Sequence, residues 1–268
     1  MIQGTRNRGL INGRGFTRFW RHCLLLSLVV GSFVLLMTRN PIAQDPRYHE
    51  FADRRPIFGI PNILDVVSNI PFLLVGLRGV KLSIGKRFVG AAAAWTVFFM
   101  GVAVVGVGSA YYHWQPGNDT LVWDRLPMTV GFMALFVALL DESISDKLGT
   151  LLLAPALLVG VSSVVYWHLF DDLRFYAWVQ LIPLLTIPIV MALFPSRYSH
   201  RWFLLWALGS YLLAKVFEAY DHEIFALTHR AVGGHAVKHL LAATGCFLIL
   251  QMLRKRRALQ PSNGNCPG

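Results

Sequence analysis

Charged residues and cysteines are both scarce in this sequence. Charged side chains make up 15% of its 268 residues, whereas a soluble domain has about 25%, so an ordinary soluble protein is not expected. The cysteines are Cys23, Cys246 and Cys266, without a CxxC or zinc-ribbon spacing, and disulfides or thiolate metal sites are therefore not expected. The sequence also lacks a P-loop, a GxGxxG after a strand and a GxSxG, so nucleotide-binding and serine-hydrolase functions have no support.

Apolar residues are abundant instead. They make up 55% of the sequence, and the mean hydropathy is +0.51. The first long apolar run, CLLLSLVVGSFVLLM, follows an arginine-rich start. With its flanking residues it can span a membrane, and we expect an uncleaved helix there. Seven more apolar runs follow, near 60–80, 88–113, 119–140, 148–169, 174–194, 201–220 and 231–253.

Short polar linkers separate these runs, and short linkers are typical of antiparallel neighbours in one bundle. The expected fold is all-α: a polytopic membrane protein with a seven-helix transmembrane core and one extra N-terminal transmembrane helix. We divide the chain into a disordered basic N-terminus (1–18), a transmembrane anchor (19–38), an outer loop (39–59), the seven-helix domain (60–253) and a cytoplasmic tail (254–268).

The basic residues predict the orientation of the chain. The formal net charge is +11, and most lysines and arginines fall in segments that share one side of the membrane if the N-terminus is cytoplasmic. We therefore expect both termini in the cytoplasm, with eight spans between them. Because these loops account for the charge, no basic face remains for nucleic acid. The expected partner is the lipid bilayer, and no obligate protein partner is evident.

Five polar residues near helix ends are expected to share one depth, close to the non-cytoplasmic face: Ser109, His113, Asp124, His235 and His239. Such residues are rare inside membranes and usually functional. His235 and His239 are four residues apart, so they lie on one helix face, and His113 can supply a third ligand from a neighbouring helix. Three protein ligands with an open fourth position are typical of catalytic zinc. The pattern therefore predicts a Zn²⁺ site.

Simpler explanations exist for each residue taken alone. A His-x3-His spacing is frequent by chance, and a lone membrane histidine more often joins helices. Asp124 beside Arg125 can form a surface ion pair. A polar stripe on the first core helix, formed by Asn62, Asp65 and Asn69, more often holds helices together than performs chemistry. The convergence of five residues at one depth favours the metal site.

Two acidic segments on the outer side are expected to be solvated. WHLFDDLRF carries Asp171 and Asp172, and EAYDHEIFALTHR carries Glu218 and Asp221. For the second segment, which precedes the last helix, a role in gating the site is the alternative.

Three motifs taken in order resemble the alkaline ceramidases, in the seven-helix zinc hydrolase superfamily that includes adiponectin-type receptors. They are GSAYYH, WDRLPM and HAVKH. That family carries Ser-x3-His, an Asp eleven residues after that His within D-x-L-P-M, and His-x3-His in the last helix. The residues at these positions are Ser109 and His113, then Asp124, then His235 and His239. DVVSNIPF also resembles the family's first core helix, and the similarity covers about 60–250.

The resemblance implies a zinc-dependent intramembrane hydrolase that cleaves the amide bond of an N-acyl lipid such as ceramide into a fatty acid and an amine. We expect the three histidines to hold the zinc, Asp124 to act as general base and Ser109 to donate a hydrogen bond to the developing oxyanion. The alternative is a lipid-sensing seven-helix receptor or scaffold with a structural zinc. A third hypothesis is a proton-coupled transporter that relays through Lys215, Glu218 and Lys238, although inverted repeats are missing.

The sequence departs from the family in three places. A helix precedes the core, the usual Asp-Glu pair reads Asp124-Arg125, and the acidic cluster that resembles a calcium site in the ceramidases is not matched by DPRYHEFADRR. Three arginines balance the three acidic residues between Asp45 and Arg55, and calcium favours clustered carboxylates. We therefore expect no calcium site here, with Asp53 salt-bridged to a neighbouring arginine.

Overall fold

The computed structural model describes residues 9–85, 88 and 90–259, and within them the chain is all-α. A short 3₁₀ helix, Pro46–His49, lies in the loop after the first helix. The α-helices are α1 (Gly9–Met37), α2 (Ile63–Val67), α3 (Ile70–Ser83), α4 (Ala92–Trp114), α5 (Asn118–Ser143), α6 (Lys147–Phe170), α7 (Arg174–Leu193), α8 (Phe203–Ala219), α9 (Asp221–Leu227) and α10 (Gly234–Lys255).

These helices confirm the prediction of an all-α polytopic membrane protein. Seven spans in the described part are long and apolar enough to cross a membrane, and the bent pair of α8 and α9 brings the number to eight. α1 begins at Gly9, inside the segment expected to be disordered, so this helix extends further toward the N-terminus than predicted. Residues 1–8 lie outside the described residues.

α4 and α5 form the centre of the bundle. α4 packs against α3 and α5, α5 also packs against α6 and α7, and α10 packs against α8 and α3. Small residues allow close helix contacts: a methyl group added at Gly108 on α4 would collide with the carbonyl oxygen of Trp123 on α5. This close approach brings Ser109 beside Asp124. α1 lies outside the bundle and packs against α7.

Two of the predicted core helices are interrupted, both at the same end of the bundle. The first is divided into α2 and α3 at Ser68 and Asn69, and α3 begins with a proline in its first turn, which has no backbone N–H to donate. The second bends by 80° between α8 and α9 at Tyr220. Both interruptions place polar residues at the ends of short helices, close to the histidines predicted from the sequence to bind a metal.

The outer loop is fixed to the helix ends by ion pairs and backbone contacts. Asp172 is 2% exposed and its carboxylate accepts hydrogen bonds from the Arg174 guanidinium, with Nη2–Oδ2 at 2.6 Å. Arg174 also donates to the carbonyl oxygen of Met37 at 2.8 Å, and Ile42 accepts from the Leu173 backbone N–H at 2.8 Å. The expectation that Asp172 is solvated is therefore wrong, because the returning outer loop covers it.

Candidate metal centre

Three histidines from two helices meet at one end of the bundle. His113 lies at the end of α4, and His235 and His239 lie in the first turns of α10. Their ring centroids are 4.8 to 4.9 Å apart, and each ring offers a nitrogen within 4.8 Å of the others. All three are buried, with exposures of 0%, 5% and 3%. The convergence predicted from the sequence is therefore present.

The donor set fits a metal ion. Neither ring nitrogen of His113 has a hydrogen-bond partner within the described residues, although both are buried. Buried polar atoms almost always have a partner, and an ion at the centre of the three rings would supply one. Three imidazoles without a thiolate suit zinc. The ring of Phe51, from the outer loop, covers the cluster. Its centroid lies 4.6 Å from the ring centroid of His113 and 4.7 Å from that of His235.

His239 is oriented by Ser68, the serine of DVVSNIPF, for which the sequence predicted no contact with the histidines. The Ser68 hydroxyl lies 2.8 Å from Nδ1 of His239 and also donates to the carbonyl oxygen of Asp65 at 3.0 Å. Because the single hydroxyl proton of Ser68 is donated to Asp65, the hydroxyl oxygen can only accept from His239. Nδ1 of His239 therefore carries a proton and donates it to Ser68. Nε2 then keeps its lone pair for a metal. Partners of this kind fix the tautomer and direction of metal-binding histidines.

Asp221 holds the N-terminal end of the last helix in place. Its Oδ1 accepts from the backbone N–H of His235 at 2.8 Å, and its Oδ2 accepts from that of Ala52 at 2.9 Å. The carboxylate is only 7% exposed, so the expectation of a solvated loop is wrong for this residue. It connects the outer loop to α10, and the sharp bend before α9 is what places it there.

The polar stripe on the first core helix also lies at this site. The Asn62 side chain donates to the carbonyl oxygen of His113 at 2.9 Å, and that of Asn69 donates to the carbonyl oxygen of Asp65 at 2.7 Å. The first contact holds the start of α2 against α4, and the second joins α3 to α2. Asn62 and Asn69 therefore join helices, as the simpler explanation proposed, whereas both carboxylate oxygens of Asp65 are buried without a hydrogen-bond partner among the described residues.

Ser109 and Asp124 lie together on the wall of a cavity that also reaches His239. Both are buried, at 2% and 7% exposure, and Ser109 is within hydrogen-bonding reach of the Asp124 carboxylate. The cavity has a volume of about 300 Å³, at the lower end of the range for small-molecule sites. All five residues predicted from the sequence are thus gathered at one end of the bundle.

The cavity is polar at the end near the histidines and apolar further along the bundle. Its polar end carries Tyr48, Ser109, Asp124, Lys238 and His239. Further along the same helices, its wall is formed by Phe98, Phe132, Leu135, Leu184, Ile187 and Ile249. A lipid with a polar group beside the histidines and an acyl chain along the apolar wall matches this division.

A buried ion-paired cluster lies beside His235. Lys238 Nζ lies 2.8 Å from Glu218 Oε1 and 3.1 Å from His235 Nε2, and Lys215 pairs with the same glutamate. The side chains of Lys238 and Glu218 are 16% and 12% exposed. The Glu218 carboxylate is thus shared between two lysines at the cavity wall. The expectation that Glu218 is solvated is therefore wrong.

Arg125 does not form the surface ion pair considered from the sequence. Its side chain is buried, at 4% exposure, and the guanidinium carbon lies 4.0 Å from the ring centroid of Trp167 and 4.7 Å from that of Tyr176. One nitrogen, Nη2, donates to the side-chain oxygen of Gln44 at 2.6 Å. The guanidinium is therefore held by aromatic rings and an amide, and it lines the same cavity as Asp124.

Fold and site together define a polytopic α-helical membrane protein with a buried histidine cluster, able to hold a metal ion, at the polar end of an apolar cavity. The family model described as Ceramidase matches residues 60–265, most of the chain. The chain therefore belongs to the ceramidase family, and family membership implies an amide hydrolase acting on an N-acyl lipid. No curated protein matches the chain at a significant level.

Proposed function

We propose that this protein is a zinc-dependent intramembrane hydrolase that cleaves the amide bond of a ceramide-like N-acyl lipid into a free fatty acid and an amine. The observation that carries the proposal is the meeting of three buried histidines with Asp124 and Ser109 at the polar end of an apolar cavity. The catalytic unit is the seven-helix domain, 60–253, and the N-terminal helix is a membrane anchor.

His113, His235 and His239 would hold the zinc. Three neutral imidazoles leave a fourth position open, which distinguishes catalytic from structural zinc sites. Bound zinc supplies Lewis acidity, which lowers the pKa of a bound water to about 7 and polarises a carbonyl group. The contacts of Ser68 with His239 and of Asp221 with the backbone of His235 hold the ligands in position.

Asp124 and Ser109 perform the proton transfers and charge stabilisation. Asp124 accepts a proton from the attacking water while the oxygen of that water forms a bond to the amide carbon. Ser109 donates a hydrogen bond to the carbonyl oxygen, where negative charge develops. The carbon–nitrogen bond then breaks, and Asp124 returns the proton to the leaving amine. The products are a fatty acid and a free amine, so water is the only co-reactant.

We further propose that both termini are cytoplasmic and that the active site opens near the non-cytoplasmic face. The distribution of lysine and arginine supports this orientation, since the segment before the anchor and the segment after α10 are both strongly basic. All five site residues lie at the opposite end of the bundle from Arg254 and Lys255, the basic residues in the last turn of α10.

The test separates metal binding from turnover. Asp124→Asn keeps the three histidines, so zinc content should stay at the wild-type level while release of fatty acid from an N-acyl lipid falls by about a hundredfold or more. Asp119→Asn is the matched control, because Asp119 lies on the same helix with its side chain 96% exposed, and it should keep full activity. Turnover that survives in Asp124→Asn would refute the role of this residue. A zinc-loaded wild-type protein inert toward every N-acyl lipid would favour the receptor instead.

A further inference from the structure

Arg125 is a buried cation whose surroundings leave its charge unbalanced. The guanidinium carbon lies over three aromatic rings, 4.0 Å from Trp167, 4.7 Å from Tyr176 and 5.7 Å from Tyr48. Aromatic faces attract cations, and they also shield this one from water. In the part of the chain that the structure describes, no carboxylate lies within ion-pair distance of it.

One edge of the guanidinium, at Nη1, has no hydrogen-bond partner among the described residues. Nη2 donates to the neutral Gln44 side chain, whereas Nη1 is buried and has no hydrogen-bond partner among the described residues. Burying a cation without a carboxylate is costly, and so is leaving a buried donor unpaired. A guanidinium held in this way has the geometry to receive an anion, because its N–H groups match the two oxygens of a carboxylate.

The position of Arg125 identifies which part of a lipid it would meet. Arg125 follows Asp124 directly and lines the same cavity. Leu135, on the apolar wall, is ten residues further along α5, which corresponds to about 15 Å. Tyr48 and Gln44 belong to the outer loop. With the acyl chain along the apolar wall, the amine half of the substrate lies at the outer end, beside Arg125.

The net charge of the side chains that line the cavity favours an anionic ligand. Three cations line it, Arg125, Lys215 and Lys238, against two carboxylates, Asp124 and Glu218. Glu218 is shared by both lysines, so the cationic excess remains with the wall as a whole. A cationic site favours an anionic ligand through Coulomb attraction in a poorly solvated environment.

We propose that Arg125 determines substrate specificity by binding an acidic group on the amine half of the lipid. The preferred substrates are then N-acyl lipids whose amine carries a carboxylate or a similar anion, as in N-acyl amino acids. This inference rests on the proposed amide hydrolase function and adds the substrate class to it. The fatty-acid carboxylate, which forms during the reaction, is the other possible source of an anion.

The experiment compares two lipids that share one acyl chain and differ at the head. N-palmitoylglycine presents a carboxylate and N-palmitoylethanolamine a hydroxyl group. For the purified zinc-loaded protein in detergent, kcat/KM should be about tenfold or more higher for the acidic lipid. Arg125→Gln should bring the ratio of kcat/KM for the acidic lipid to kcat/KM for the neutral lipid close to one, chiefly by raising KM for the acidic lipid.

A second variant tests the charge without removing Arg125. Gln44→Glu keeps the size of the side chain and places a carboxylate next to Nη2, where it competes with the substrate anion. This variant should also lower the acid-to-neutral ratio, that is, kcat/KM for N-palmitoylglycine divided by kcat/KM for N-palmitoylethanolamine. Gln44→Met loses the same hydrogen bond without adding charge and should keep the wild-type ratio within about threefold. Equal loss of both activities in Arg125→Gln, together with an unchanged ratio in Gln44→Glu, would show a purely structural role.

Two further outcomes are decisive. If Arg125→Gln weakens inhibition by added palmitate and leaves the acid-to-neutral ratio unchanged, Arg125 binds the product carboxylate and the proposal is wrong. If neither lipid is hydrolysed by the wild type, turnover of ceramide separately tests the hydrolase function, and thermal stabilisation by each of the two lipids decides the role of Arg125. The proposal for Arg125 is supported if N-palmitoylglycine alone stabilises the protein and Arg125→Gln abolishes this stabilisation. Equal stabilisation by both lipids overturns the proposal.

Discussion

The Ser68 hydroxyl lies 2.8 Å from Nδ1 of His239, across the junction between α3 and α10. It connects the break between α2 and α3 directly to a candidate metal ligand. The same hydroxyl donates to the carbonyl oxygen of Asp65, so its own orientation is fixed. The interruption of the first core helix therefore contributes to the site, because a continuous helix would not present Ser68 in this way.

Ser68→Ala should weaken zinc binding without unfolding the protein. Loss of a partner behind a metal-binding histidine typically costs about 10- to 100-fold in metal affinity. We expect activity to fall at limiting zinc and to recover in excess zinc, as measured by titration of chelator-treated protein. Ser163→Ala is the control, since Ser163 is also buried but its hydroxyl donates to a carbonyl oxygen within α6. An unchanged zinc affinity in Ser68→Ala would contradict this role.

The stability of the outer loop should depend on pH through Asp172. Hydrogen bonds from Arg174 lower the pKa of Asp172 from 3.8 to about 2, a shift that corresponds to roughly 2 kcal/mol. Since the folded-state pKa is below the unfolded one, the ion pair stabilises the protein above about pH 4, and this stabilisation is lost as the pH falls through 2.

Thermal melting in detergent measures this dependence. Asp172→Asn should lower the melting temperature at neutral pH, and its difference from the wild type should shrink between about pH 4 and pH 2. Asp119→Asn, which changes an exposed carboxylate, should melt like the wild type throughout. A difference between Asp172→Asn and wild type that does not vary over this pH range would mean that the charge of Asp172 does not stabilise the loop.

Calcium should not stabilise this protein. The predicted salt bridge of Asp53 is confirmed: Oδ1 accepts from Arg55 Nε at 2.7 Å and Oδ2 from Arg55 Nη2 at 2.7 Å. A calcium ion would have to displace a bidentate guanidinium. After treatment with a chelator that removes calcium and spares zinc, added calcium should shift the melting temperature by less than about 1 °C. A large rise that is lost in Asp53→Asn would show that the segment binds calcium.

The proposed orientation can be tested with two single cysteines at opposite ends of the bundle. Asp119 lies at the start of α5 and Asp146 follows its end, and both are exposed. In a background without the three native cysteines, Asp119→Cys should react with an impermeant thiol reagent in intact cells, and Asp146→Cys only after lysis. The reverse pattern of labelling would invert the topology.

Helix periodicity is what made the histidine cluster predictable. His235 and His239 share a face because a helix repeats every 3.6 residues, and the charge pattern placed His113 at the same depth. Asp124 and Ser109 followed from the same placement. None of these inferences needed the bundle's packing, and the apolar runs alone were enough to locate the core helices to within a few residues.

The contacts that hold the site together were not predictable in the same way. Ser68 reaches His239 only because the first core helix breaks, and Asp221 reaches His235 only because the chain bends by 80° before α9. Asp172 is buried by a loop that is distant in sequence. Such burial depends on tertiary packing, whereas polarity alone predicted solvated loops. The surface ion pair considered as an alternative for Arg125 failed for the same reason, since its aromatic partners come from the outer loop, α6 and α7.

The most direct test of the central claim is fatty-acid release by purified protein before and after removal of its metal. Protein stripped with a strong chelator should lose its activity toward an N-acyl lipid, and one equivalent of zinc per chain should restore it. Reconstituted His239→Ala should remain inactive under the same conditions. Full turnover by the stripped protein, or by His239→Ala, would contradict the account, because the histidine cluster would then not be where the amide bond is cleaved.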